Sequence, residues 1–297
     1  MIENLKNGTK PVAVFVLLGQ SNASGHATPM REKDKIKAPL RNVFGLSKAK
    51  NQSFDITALT WENYVSAGMN LGEDLDDTYS LANCLARAWQ DEIDAGSKLD
   101  LPDLYIVQIA IGSEGVGEKY MWYPHREPKL IPGPLRVADI SMYPFARHIL
   151  SLVNDSLSRL GKHPERVMLH WRGGEEDANH KKEEIEAKIP NLYKQIFAGL
   201  RESVGAPCDI TLHKFRYKER CYTYDPSGES YRSMLYINDL FDSLSEELSD
   251  VACFDIGNAP FFEPETPHHG VYDKEDLIHY NERANRYVAD EIINSYK

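Results

Sequence analysis

The sequence is poor in cysteine, short of basic charge and without any long apolar run. Four cysteines, Cys84, Cys208, Cys221 and Cys253, are scattered over 297 residues, and none forms a C-x-x-C pair. That spacing argues against a zinc knuckle. A chain of this length can bury its own core without a disulfide framework, so free thiols are expected. Lys and Arg number 34 against 45 Asp and Glu, a net charge of −11. Such a chain lacks the basic footprint that nucleic acid requires, and it is poorly suited to anionic lipid. No apolar stretch approaches the ~18 residues of a membrane span. The apolar segment 11–18 follows Lys6 and Lys10. It is short for a secretory core, no small-x-small cleavage site follows, and its β-branched residues suit a strand. A cytoplasmic location is the default expectation.

What is present is a globular composition, 42% hydrophobic and 27% charged. Five short apolar runs, at 12–18, 104–111, 167–171, 210–215 and 251–256, read as buried strands of a parallel sheet. Amphipathic stretches lie between them. Leu81, Leu85, Trp89 and Ile93 form one helical stripe, with Asp77 or Thr78 as its cap. Phe145, Ile149, Leu152, Val153, Leu157 and Leu160 mark a second, with Gly161 as the stop. Pro190 is expected to break the helical stretch 181–204. Met234, Ile237, Phe241, Leu244 and Leu248 mark another helix, and Ile278, Val288 and Ile292 the last. Strand–helix alternation predicts an open α/β sheet with helices on both faces, whose ligands bind at the carboxyl ends of the strands. The segments 22–76 and 113–141 fit this alternation poorly. They read as long loops inserted into a single domain spanning 1–297, with a hairpin between 43–46 and 54–57.

The residues that follow the strands carry the chemistry. The first strand runs into Gly19, Gln20, Ser21 and Asn22. A serine past a glycine at a sheet edge is placed to project its hydroxyl, which makes it a candidate nucleophile if a histidine reaches it; an ordinary turn is the alternative. The pattern is not a G-x-S-x-G elbow, and no GK[ST] follows, so it is not a phosphate-binding loop. Residues 112–117 have the spacing G-x-x-G-x-G, which is not the dinucleotide fingerprint. Near the carboxyl terminus, Asp276 and His279 stand three apart at the expected start of the last helix. On one helical face the carboxylate could orient the imidazole toward a serine; a helix cap with a surface histidine is the alternative. His268 and His269, with Glu263 and Glu265 nearby, do not make a credible metal site, because adjacent histidines point in different directions.

These blocks together resemble the SGNH hydrolases, in particular the sialate O-acetylesterase and carbohydrate esterase family 6 acetylesterases. The resemblance rests on Gly19 to Asn22, on Asp276 and His279, and on a W-x-Q-G-E-x-D block matched by Trp171, Gly174, Glu175 and Asp177. Ala110, Gly112, Trp122 and Pro124 match a weaker fourth block. It implies a flavodoxin-like three-layer α/β/α sandwich with a five-stranded parallel sheet. It also implies a serine esterase that removes O-acetyl groups from carbohydrate, such as sialic acid or an acetylated polysaccharide. Ser21 would be the nucleophile, His279 the general base and Asp276 its orienter, with no cofactor or metal. Around them, Gly112, Gly173, Asn22, Gln20 and Glu175 would form the oxyanion and binding group, and Gly115 is an alternative to Gly112. Glu175 would brace the active-site loops. Trp122 and Tyr123 could stack on a sugar, or simply pack in a loop, and His125 and Arg126 could meet an acidic group on it. One position departs from the pattern: Gly173 stands where the family has a glutamine that donates to the oxyanion. Arg172 or Asn22 could replace that donor, and Arg172 is also a candidate substrate-binding residue. A catalytically weakened carbohydrate-binding relative is the alternative.

Overall fold

The structure is a computed structural model. It describes residues 9–26, 30, 32, 34–66, 69–73, 78–96, 100–131, 139–179, 182–214, 229–255 and 279–296. Asp77, Phe215, Cys221, Ile256, Glu263, Glu265, His268, His269, Asp276 and Ile278 lie outside the described residues.

The strand β1 (Lys10–Gly19) is the axis of the molecule. Its side chains alternate between two cores. Val12, Val14, Val16 and Leu18 enter one, while Ala13, Phe15 and Leu17 enter the other. An apolar run without polar alternation therefore takes the centre of a parallel sheet. β1 is flanked by β4 (Leu104–Ala110) on one side and β7 (Lys162–Arg172) on the other. Beyond β4 lie β2 (Val43–Leu46) and β3 (Trp61–Asn63); beyond β7 lie β8 (Cys208–His213) and β9 (Val251–Phe254). β3 pairs antiparallel to β2, and the other pairings are parallel. A separate two-stranded ribbon joins β5 (Leu130–Ile131) to β6 (Asp139–Ile140).

Helices cover both faces. One core receives Phe145 and Ile149 of α4 (Met142–Ser151), Leu157 of α5 (Val153–Arg159), Tyr193 and Phe197 of α7 (Ile189–Val204) and Phe241 of α8 (Glu229–Glu247). The other receives Leu81, Leu85 and Trp89 of α3 (Leu81–Asp94) and Val288 and Ile292 of α9 (Glu282–Ser295). Short helices α1 (Ser21–Ser24), α2 (Lys48–Asn51) and α6 (Lys182–Ala187) complete the set among the described residues. The result is an α/β/α sandwich.

All five strands read from the sequence are present, but the sheet has seven strands rather than five. The two extra strands are short, and β3 is exposed or half-buried, so neither shows a long apolar run. The expected hairpin is replaced by the β2–β3 pairing. Phe54 leaves the sheet and packs its ring 5.5 Å from Phe145. Pro190 falls in the first turn of α7, after a break from α6, and Gly161 has φ +68° past α5. The second helix is divided at Leu152. The cap of α3 is Ser80, not Asp77 or Thr78, through a reciprocal box with Asn83. α9 begins after the Asn281 cap, so His279 precedes that helix. Cys84, Cys208 and Cys253 are free. No helix among the described residues is long and apolar enough to cross a membrane.

The Ser80 box satisfies two backbone donors at the buried start of α3. Ser80→Ala should cost about 1 kcal/mol, seen as a lower urea midpoint at unchanged slope.

Candidate active site

Strand register brings the sequence blocks together. Gly19 is level with Ala110 of β4 and with Arg172 of β7. The residues that follow each strand, Gln20 and Ser21, Ile111 and Gly112, Gly173 and Gly174, therefore emerge at one edge. This is also where the topology reverses: from β1 the chain builds outward to β2 and β4 on one side, then to β7, β8 and β9 on the other. Gly19 has φ +136°, and a Cβ there would stand 1.9 Å from the Arg172 carbonyl oxygen. Only glycine permits this approach. Past it, Gln20 N donates to Arg172 O at 2.9 Å, and α1 opens with Ser21. Gly25 N and His26 N both donate to Ser21 O, at 2.9 and 3.0 Å, closing the turn. Ser21 is buried, and its hydroxyl has no hydrogen-bond partner among the described residues.

Asn22 ties this turn to two distant segments. Its Nδ2 donates to Glu175 Oε1 at 2.6 Å, and its Oδ1 accepts from Tyr280 N at 2.9 Å. His279 is thereby seated beside the serine turn, its ring stacked on that of His26 at 5.9 Å and 24°. Glu175 is buried, which raises its carboxyl above the ordinary range; the Asn22 amide, a backbone N–H and the charge of Arg172 oppose this. Its Oε2 is buried without a partner among the described residues.

Arg172 points into the interior. It is buried at 1% exposure, and its Nη1 donates to Asn285 Oδ1 at 2.6 Å and to Asn22 O at 3.4 Å. The guanidinium lies 4.8 Å from the centre of the Tyr280 ring, and burial pulls its pKa down to about 10. Its Nε donates to His213 Nδ1 at 3.3 Å, and His213 Nε2 stands 2.8 Å from His170 Nδ1. Arginine can only donate, so His213 accepts at Nδ1 and carries its proton on Nε2, and His170 accepts at Nδ1. The expected binding role of Arg172 is thus replaced by a structural one. Trp122 is corrected in the same way. It is fully buried, it donates from Nε1 to Gly19 O at 3.1 Å, and it packs edge-on against Trp171 at 4.9 Å. Its ring braces the β1 turn and offers no open face for a sugar. Arg126 is engaged by Asp139 at 2.6 Å, and Tyr123 packs edge-on with His125 at 5.3 Å.

The expected oxyanion donors are also differently disposed. Gly112 N donates to Glu73 Oε1 at 3.0 Å, so that amide is engaged. The same oxygen lies 2.8 Å from His26 Nε2. Burial alone would raise the Glu73 carboxyl, but bonds from His26, Ser24 and Gly112 and the charge of His26 bring it below its ordinary value. The next residue, Ser113, has φ +61°, a conformation that L side chains seldom adopt. At Gly115 a Cβ would meet Asp177 Oδ1 at 2.4 Å. Asp177 accepts from Val116 N at 2.8 Å and from the Tyr193 hydroxyl at 2.7 Å, bracing that loop. A Cβ on Gly173 would press on the Trp171 indole at 3.2 Å. Asn22 has both amide ends bonded and Arg172 is enclosed, so neither stands ready as the replacement donor. Gln20 accepts a long bond, 3.4 Å, from Glu176 N. His26, Glu73, His213, Tyr280 and Asn285 have no local sequence signature; Gly72, whose Cβ would lie 2.2 Å from Ala110 O, is the one hint next to Glu73.

The solved structure of NanS superposes with a TM-score of 0.59 over 97% of this chain and 97% of that one, at 12% identity. An aryl esterase from M. smegmatis gives 0.47 over 96% and 98% at 10% identity. A carbohydrate acetylesterase family member from Sinorhizobium meliloti gives 0.44 over 96% and 97%, also at 10%. The likeness to NanS shows a shared α/β/α fold. No family profile and no curated protein matches the sequence.

The buried histidine pair makes stability depend on pH. Burial, reinforced by the charge of Arg172, lowers His170 to about 3 and takes His213 well below 6.5. The unfolded chain binds protons near its ordinary 6.5 that the native state refuses. Stability should therefore be intact above that value and fall as pH drops below it, by about 1.4 kcal/mol per unit for each histidine. Urea unfolding between pH 7 and pH 5 checks this, and His213→Gln, which can still accept from Arg172, should flatten the slope.

Proposed function

We propose that the chain is a serine esterase that removes O-acetyl groups from carbohydrate, such as sialic acid or an acetylated polysaccharide. Ser21 is its nucleophile, His279 its general base and Asp276 the carboxylate that orients the base. The observation that carries this reading is the bond from Tyr280 N to Asn22 Oδ1. It seats the residue after the base on the residue after the nucleophile, across the whole length of the chain. The resemblance of the three sequence blocks to acetylesterases supports the substrate class.

In this reaction Ser21 Oγ attacks the acetyl carbonyl while His279 takes the hydroxyl proton. The proton passes to the departing sugar oxygen, leaving an acetyl-enzyme. Water then attacks, His279 takes its proton and returns it to Ser21, and acetate leaves. Ser21 N–H, in the open first turn of α1, is the backbone donor placed for the oxyanion.

A second reading is favoured by one pair of observations: Gly173 supplies no side-chain amide and Gly112 N–H is already bonded to Glu73. On that reading the protein binds acetylated glycans but turns them over slowly or not at all. Ser21→Ala and His279→Ala should each lower hydrolysis of nitrophenyl acetate by at least about 10³-fold, and a fluorophosphonate should label Ser21 in the parent protein. Equal turnover by parent and Ser21→Ala excludes the esterase; glycan binding without labelling establishes the second reading.

A further inference from the structure

The contact that engages Gly112 also creates an electrostatic problem. Glu73 is buried at 4% exposure and stands on the amide beside which an ester oxygen would gain negative charge. A lone carboxylate there opposes the transition state. The histidine that holds it is also the nearest group able to correct it. His26 Nε2 is 2.8 Å from Glu73 Oε1, and its ring lies over Gly112, where a Cβ would come within 2.7 Å of Nε2. The ring faces His279 at 5.9 Å. Its side chain is 35% exposed, and Nδ1 makes no hydrogen bond among the described residues. His26 is also covalently close to the nucleophile, its backbone N–H closing the turn on Ser21 O at 3.0 Å.

We propose that His26 is a further catalytic residue. As an imidazolium paired with Glu73 it neutralises that carboxylate and donates Nδ1–H to the carbonyl oxygen of the bound ester, the position that Gly173 leaves without an amide. The inference rests on the esterase reading. As Ser21 adds to the carbonyl carbon, the C=O electron pair moves to oxygen and is met by the Nδ1–H bond; when the tetrahedral species collapses, the pair returns and His26 keeps its proton. The two stacked imidazoles then have opposite duties: His279 is neutral and accepts, His26 is charged and donates. Glu73 is a positioning residue that sets which nitrogen faces the substrate.

Four variants test this with nitrophenyl acetate: His26→Ala, His26→Phe, Glu73→Gln and the double variant His26→Ala with Glu73→Gln. His26→Ala and His26→Phe should each lose about 10²–10³-fold in kcat, with KM nearly unchanged. Glu73→Gln keeps an acceptor for Gly112 N–H while removing the charge, so in the double variant it should restore at least about tenfold of the loss. Retention of kcat by His26→Phe would make the ring a packing element and overturns the proposal; so does a double variant no faster than His26→Ala. If His26→Ala does not fold, as judged by its thermal transition, His26→Asn takes its place. Ser21→Ala in the same assay separates the two levels. Turnover that needs Ser21 but ignores His26 removes this inference alone, whereas turnover that ignores Ser21 removes the esterase reading beneath it.

Discussion

The site depends on one buried primary amide. Asn22 presents a donor to Glu175 and an acceptor to Tyr280 N, while its own carbonyl accepts a long hydrogen bond from Arg172. A buried amide left half-bonded costs about 1–3 kcal/mol, so the loop after β7 and the segment before α9 are held in place together or not at all. No other amino acid of this size has a donor and an acceptor on one rigid fork. Aspartate would face the Glu175 carboxyl with another carboxyl, and leucine would leave both partners without a bond.

Around that amide the molecule has a polar layer of unusual burial. Arg172, His213, His170 and Asn285 sit between the end of the sheet and α9, and every hydrogen bond among them runs in a direction set by the guanidinium. Such a network is costly to bury, and the directed bonds it makes favour one arrangement over many. That rigidity suits a site whose proposed nucleophile, Ser21, sits on a four-residue helix, too short to hold itself in place.

The central strands were legible because they are buried on both faces, so their apolar character is continuous. The blocks at 19–22 and 173–177 were legible because they directly follow those strands. Residues 43–46 read as one strand of a hairpin, but their partner β3 was not legible, since a three-residue strand that is half-buried or exposed carries little apolar pattern. Asp77, Thr78 and Ser80 are all good capping residues, and tertiary contacts choose among them. Trp122 and Arg172 looked like ligand contacts because residue type is visible in a sequence and burial is not. The burial of Arg172 depends on Asn285, more than a hundred positions away. Glu73 and His26 lie in a segment without periodicity, and only the β1–β4 register brings them to Gly112.

The bonds from residues 280 and 285 back to residues 22 and 79 span almost the entire polypeptide. A ribosome releases the amino-terminal strand long before it makes the segment that completes the pocket. The emerging chain can pair β1 with β4 and later with β7, yet its serine turn remains without its carboxyl-terminal clamp until the final helix docks beside α3. The serine turn thus stays without its second anchor until residues 280 and 285 have been made and α9 has docked.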